Sequence, residues 1–192
     1  MIKAPAGKKT RPTAEMVRES LFNIIRDELT GSYFLDLFAG SGAVGIEALS
    51  RGALGTVFIE QDKNCCQIIK DNLTSLKIPD NSACVMKADI MVPSTLTQKI
   101  STHSFKRETM SGRLFDIIFA DPPYHLPDIQ SLPQQILSAN LLSENGVLIL
   151  EHDRQTCFPD VVNNTLHKVR IKSYGDTVMS YFKKKHLEME HM

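Results

Sequence analysis

The chain has 192 residues, 42% of them hydrophobic, and carries 22 basic against 22 acidic side chains. That length suits one globular domain with a substantial core, and the balanced charge excludes a uniformly basic nucleic-acid coat. No apolar run approaches the ~18 residues of a membrane span and no signal peptide opens the chain, so a soluble, cytoplasmic protein is expected.

The charge is uneven along the sequence. Lys3, Lys8, Lys9, Arg11, Arg18 and Arg26 face only Glu15 and Glu19 in the first stretch, and Lys168, Arg170, Lys172, Lys183, Lys184 and Lys185 face only Asp176 near the end. Both ends are basic and the middle is acidic, which suits either local nucleic-acid contact or two well-solvated segments. Cys65, Cys66, Cys84 and Cys157 form no C-x-x-C, and read as buried free thiols of a reducing compartment.

In chain order, RPTAEMVRESLFNIIRDEL is a predicted helix with Thr13 as N-cap. Its Ala14, Val17, Leu21, Ile24, Ile25 and Leu29 fall at helical spacing. SYFLDLF (32–38) reads as a strand and AVGIEALSRG as a helix. TVFIE (56–60) is a strand, and 62–76 is a helix capped by Asp62. ACVMKAD (83–89) is a strand followed by a weaker helix near 93–101, and 101–113 is a polar surface loop. DIIFA (116–120) is a strand before a helix at 128–139, and GVLILEH (146–152) is a strand introduced by the turn Glu144-Asn145-Gly146. Short apolar strands alternating with helices indicate a parallel sheet covered on both faces. LHKVRIKS (166–173) and TVMSYFKKK (177–185), joined by a tight turn, predict an antiparallel hairpin.

Residues 40–45, GSGAVG, match G-x-G-x-x-G directly after a strand, and Glu60 ends the next strand 20 residues later. Glycines admit a ligand close to the backbone, and an acid at the second strand tip accepts from ribose hydroxyls. Asp36 lies just before the loop, where a carboxylate repels pyrophosphate but suits an ammonium group. S-adenosyl-L-methionine (SAM) therefore fits better than NAD. Asp36 as a strand-end residue satisfied by backbone amides is the plainer reading. Asp89, ending the third strand, suits an adenine amino group or a helix cap. The cofactor set is expected along these tips: Asp36, Phe38, Ala39, Gly40, Ser41, Gly42, Glu60, Gln61, Asp89, Ile90 and Asp121.

The fourth strand runs into Asp121-Pro122-Pro123-Tyr124. Methylating the exocyclic amine of a base requires its lone pair to be drawn out of the ring. A carboxylate and a carbonyl accepting from the NH2 group do this and stabilise the developing positive charge. Asp121 and the Pro122 carbonyl supply the two acceptors, the prolines fix the loop, and Tyr124 offers a ring for an unstacked base. The plainer reading is a rigid Pro-Pro turn with a half-buried tyrosine. No metal is expected, since the six histidines form no spaced pair of ligands.

Together, DPPY, DLFAGSG, TRPTAEMVRESLFN (10–23), SGAVGIEALSRGA (41–53), FIEQD (58–62) and YGDT (174–177) resemble the RsmD family, bacterial methyltransferases of a guanine N2 in 16S rRNA, over residues 8–183. The resemblance implies a Rossmann-like, class I SAM-dependent α/β methyltransferase. Its sheet would have seven mostly parallel strands, the C-terminal one antiparallel, in a single domain: 1–30 a basic segment and capping helix, 31–185 the catalytic sheet. It implies that the first helix caps the SAM pocket, with Arg11, Thr13 and Asn23 near cofactor or base. Arg18 and Glu19 read as a solvated helix face. Family members usually begin with a longer basic stretch, where only MIKAPAGKK stands here. The expected substrate is 16S rRNA or the small ribosomal subunit, the expected state a monomer. Adenine-N6 methylation of DNA would use the same DPPY loop. An NAD-dependent oxidoreductase or a non-catalytic RNA-binding protein would leave that loop unexplained.

Overall fold

The computed structural model describes residues 12–92, 94–96, 114–123 and 126–185. Strands β1 Tyr33–Leu37, β2 Gly55–Glu60, β3 Ala83–Lys87, β4 Phe115–Ala120, β5 Leu142–Asp153, β6 Val161–Val162, β7 Leu166–Tyr174 and β8 Thr177–Lys184 form one sheet in the order β3-β2-β1-β4-β5-β8-β7-β6. β1 to β5 are parallel, and β8 runs antiparallel between β5 and β7. Among the described residues the sheet has eight strands rather than seven. The extra one, β6, pairs only Val161 and Val162 with β7, a stretch too short to carry an alternating signal.

Helices α1 Pro12–Ile24, α2 Arg26–Leu29, α3 Ala43–Ser50, α4 Lys63–Ser75 and α5 Leu132–Ser138 complete the fold, with a 3-10 turn at Ile129–Ser131 before α5. The first predicted helix is broken at Ile25. It starts at Pro12, so Thr13 lies inside the first turn and is not the cap, in keeping with a proline preset for the first helical position. Asp62 caps α4 as expected, its side chain accepting from the N–H of Asn64 and of Cys65 at 2.8 Å each.

Strand alternation divides the core. Leu35, Leu37, Ile59, Ile118, Leu148 and Leu150 pack on α5 through Leu132 and Ile136. On the other face Phe34, Ile117, Phe119, Ile149 and Tyr181 pack on Val17, Leu21, Phe22 and Ile25, while Phe58 packs on Ile46 of α3 and Ile69 of α4. The Glu144-Asn145-Gly146 turn is instead a bulge within β5, where the register against β4 jumps from Phe115↔Leu142 to Ile117↔Val147. Ser143 Oγ donates to Asp116 Oδ1 at 3.0 Å, and Tyr33 N donates to Asp116 Oδ2 at 2.9 Å, so one carboxylate ties three strands at their entry.

Of the helix predicted near 93–101, residues 94–96 are described and helical, with Thr95 and Leu96 buried. The predicted loop 101–113 lies outside the described residues, as do Arg11, Tyr124 and His125. Cysteines 65, 66, 84 and 157 are free, but only Cys66 is fully buried, and Cys157 is exposed in the turn after β5. No helix among the described residues is long and apolar enough to cross a membrane.

Candidate active site

The strand order reverses between β1 and β4. β2 and β3 lie to one side of β1, and the chain then returns to lay β4 on the other. Such a reversal opens a crevice at the carboxyl ends of the two flanking strands. The glycine loop leaves β1 there, and Asp121-Pro122-Pro123 leaves β4 there.

The loop's shape follows from its sequence. Phe38 (φ 60), Gly40 (φ 57) and Gly42 (φ 77) all adopt left-handed backbone, which glycine takes without penalty and phenylalanine does not. Gly42 N–H donates to Ala39 O at 2.7 Å. A Cβ at Gly40 would meet only Phe38 O, at 4.0 Å, so this stretch of backbone is open to a ligand. At Gly45 a Cβ would stand 2.3 Å from Phe58 Cε1, so α3 lies on β2 as closely as backbone allows.

Each expected carboxylate has a position and a partner. Asp36, 2% exposed, accepts from Gly45 N at 2.9 Å and so holds the first turn of α3. Burial pushes its pKa up to about 7. The Gly45 bond pulls it back, and the carboxylates of Asp121 and Glu60 add to the rise. Glu60 accepts from Gly40 N with one oxygen and from Asp62 N with the other, both at 2.8 Å, so it joins the glycine loop to the cap of α4. Asp89 is exposed and accepts from Met91 N at 2.9 Å, closing its own turn, with Ile90 buried behind it. Ser41 and Phe38 are partly buried, Ala39 and Gly42 buried, and Gln61 exposed. Asp121 and Pro123 are exposed and Pro122 half-buried, and Leu126 N–H closes the turn on the Pro123 carbonyl at 3.2 Å. Asn23 is exposed on α1, and Thr13 lies in that helix's first turn.

Arg18 departs from the expected solvated face. Its Nε reaches Glu47 Oε2 at 2.7 Å, while Glu47 Oε1 takes Arg51, so α1 is fastened to α3 beside the loop. Glu19 is exposed, as expected.

Two further residues escaped the sequence reading. Asn72, 2% exposed, donates from Nδ2 to Ser41 O at 3.1 Å and steadies the loop from α4. A buried polar residue on an apolar helix face was the available signal. Glu151, on β5, is the other. The pairings Asp36↔Phe119 and Ala120↔Leu150 set it level with Asp121, one strand over. By strand alternation Glu60, Asp36, Asp121 and Glu151 share one face, at the tips of β2, β1, β4 and β5. Burial, then the neighbouring Asp121 carboxylate, push Glu151 to about 8. A cavity of about 280 Å³ opens between Leu126, Ile129 and the Asp153–Thr156 turn.

Comparison with known proteins gives the family and the fold. The model of the family described as Conserved hypothetical protein 95 matches residues 1–183. YlbH of Bacillus subtilis (strain 168), provisionally named an rRNA methyltransferase, is 38% identical over 96% of this chain and 93% of its own. Ribosomal RNA small subunit methyltransferase D of Escherichia coli (strain K12) is 32% identical over 87% of this chain and 77% of its own. Among solved structures, a conserved hypothetical protein of Streptococcus pyogenes superposes with a TM-score of 0.72 at 30% identity, covering 88% of this chain and 95% of that one.

Proposed function

The chain belongs to the RsmD family, and from that premise we propose that it transfers a methyl group from SAM to the exocyclic N2 amine of a guanine in the rRNA of the small ribosomal subunit. The observation that carries the reading is the Asp-Pro-Pro turn leaving β4 beside the β1 glycine loop, at the reversal of strand order.

The residues present fit SAM. The loop offers open backbone at Gly40, and carboxylates rather than cations stand beside it, which suits a nucleoside carrying an ammonium and no phosphate. Ala39 to Gly42 would take the amino-acid portion, Glu60 and Gln61 the ribose, Asp89 and Ile90 the adenine, and Thr13 and Asn23 would close over it from α1. Asp36 would act through the loop that it holds. Bound SAM supplies an electrophilic methyl on a sulfonium. Asp121 and the Pro122 carbonyl accept the two hydrogens of the target amine and turn its lone pair toward that methyl. The new C–N bond forms from that pair, the C–S pair stays on sulfur, and the surplus N2 proton passes to Asp121 and then to water. Tyr124 would stack the unstacked base. Basic residues of the two ends would meet phosphates.

Labelled SAM offered in parallel to small subunits lacking the modification, to naked rRNA and to duplex DNA tests this. Label in an rRNA guanine is expected. Label in DNA adenine would keep the catalytic loop and overturn the substrate.

A further inference from the structure

Glu151 is the one carboxyl on the row of strand tips that the proposed transfer leaves idle. Among the described residues nothing donates to it and no cation pairs with it, although it is half-buried. The adjacent phenol of Tyr181 is turned away, donating to Met179 Sδ at 3.7 Å. A half-buried carboxyl with no partner among the described residues, at the mouth of a ligand crevice, is free to accept from a ligand. The parallel ladder ends on Ala120↔Leu150, one residue before each, so Glu151 follows beside Asp121 where that residue leaves β4, about one strand spacing (~4.8 Å) apart along the backbone and on the same face.

Two adjacent carboxyls complement a base edge with two adjacent donors. Guanine presents N1–H and the 2-amino group side by side, whereas adenine places a lone pair at N1 next to its amine. We infer that Glu151 is a specificity-determining residue that accepts from the N1–H of the target guanine while Asp121 accepts from its 2-amino group. The inference rests on the guanine-N2 reading above and adds the basis on which the base is chosen. In the unliganded protein the two carboxyls repel each other, and burial holds a proton on Glu151 near neutrality. An arriving donor edge takes the place of that proton, which leaves to water.

The test replaces the target guanine, located by mapping the label, with 2-aminopurine. That base keeps the 2-amino group but has a lone pair at N1. The unaltered protein should prefer guanine by about 10- to 100-fold in kcat/KM. Glu151→Gln, whose amide can donate to an N1 lone pair, should lower transfer to guanine and bring the two bases within about threefold or reverse them. Each ratio is taken within one variant, so partial loss of folded protein cancels. Should Glu151→Gln fail to fold, equal use of the two bases by the unaltered protein still overturns the inference. Equal use of the two bases by that protein, or an unchanged ratio in Glu151→Gln, overturns the inference while leaving the guanine-N2 reading intact. Absence of label in any rRNA guanine overturns both.

Discussion

At the scale of single residues, function divides between groups that touch substrate and groups that hold the loop. Asp121 is exposed at the end of β4, and in the proposed mechanism it belongs to the first kind. Asp121→Ala should lower methyl transfer at least ~10²-fold, the typical cost of removing one preorganised stabilising group, while SAM affinity changes less than tenfold. Kinetics and calorimetry separate the two, and full activity in the variant would sink the mechanism. Asp36 belongs to the second kind, and its burial has a consequence for stability. Its folded-state pKa of about 7 lies above the ordinary 3.8, so the folded protein keeps a proton that the unfolded chain releases. Stability therefore falls as pH rises from about 4 to 7 and levels off above that, by an amount on the order of 4 kcal/mol at most. Asp36→Asn keeps an acceptor for Gly45 and carries no proton to lose. It should match the unaltered protein near pH 4 and exceed it at pH 8, as read by urea denaturation. Equal pH slopes in the two proteins would show that the carboxyl is ionised in the fold.

Among the elements, the glycine loop and α3 act as one unit because three anchors converge on them. Asp36 holds Gly45, Glu60 holds Gly40, and Asn72 holds Ser41. The close seat of α3 depends on Gly45, where any side chain would meet Phe58 and the Cγ2 of Thr56, the latter at 2.8 Å. Gly45→Ala should cost about 1–3 kcal/mol by overpacking and weaken SAM binding together with it, since the displaced helix carries the loop. A variant with lost stability and unaltered SAM affinity would show that loop and helix move independently. The loop itself was legible in the sequence, because G-x-G-x-x-G follows an apolar strand and stands with Asp36 before it and Glu60 at the next strand tip. Its anchors were only partly legible. Glu60 stood out through its spacing from Gly40, whereas Asn72 showed only as a polar residue on an apolar helix face, and its reach to Ser41, 31 residues away, left no local trace. Arg18 read as solvated for the same reason, since Glu47 comes within reach only once α1 lies against α3.

For the whole molecule, the sheet of a SAM-dependent methyltransferase sets the tips of β1 to β3 and the Asp-Pro-Pro turn on either side of one reversal in strand order. A ligand that binds only the folded state stabilises it, by about 2.7 kcal/mol at a hundred times its Kd, and a chain of this size gains about 2–4 °C per kcal/mol. Saturating SAM should therefore raise Tm by about 5–10 °C in a thermal scan, and NAD(H) should leave it unmoved. The opposite pattern would return the glycine loop to dinucleotide binding. The amino-acid sequence by itself determined the kind and order of the main elements other than β6 and the break between α1 and α2, the hairpin at the end, the glycine loop and the Asp-Pro-Pro turn. Periodicity, glycine and proline are local causes acting over a few residues. Only the tertiary structure decided which carboxylates share a face, which are spent on backbone N–H groups, and that Glu151 stands beside Asp121. Those facts depend on lateral register between strands and on burial, and both arise only when distant segments pack.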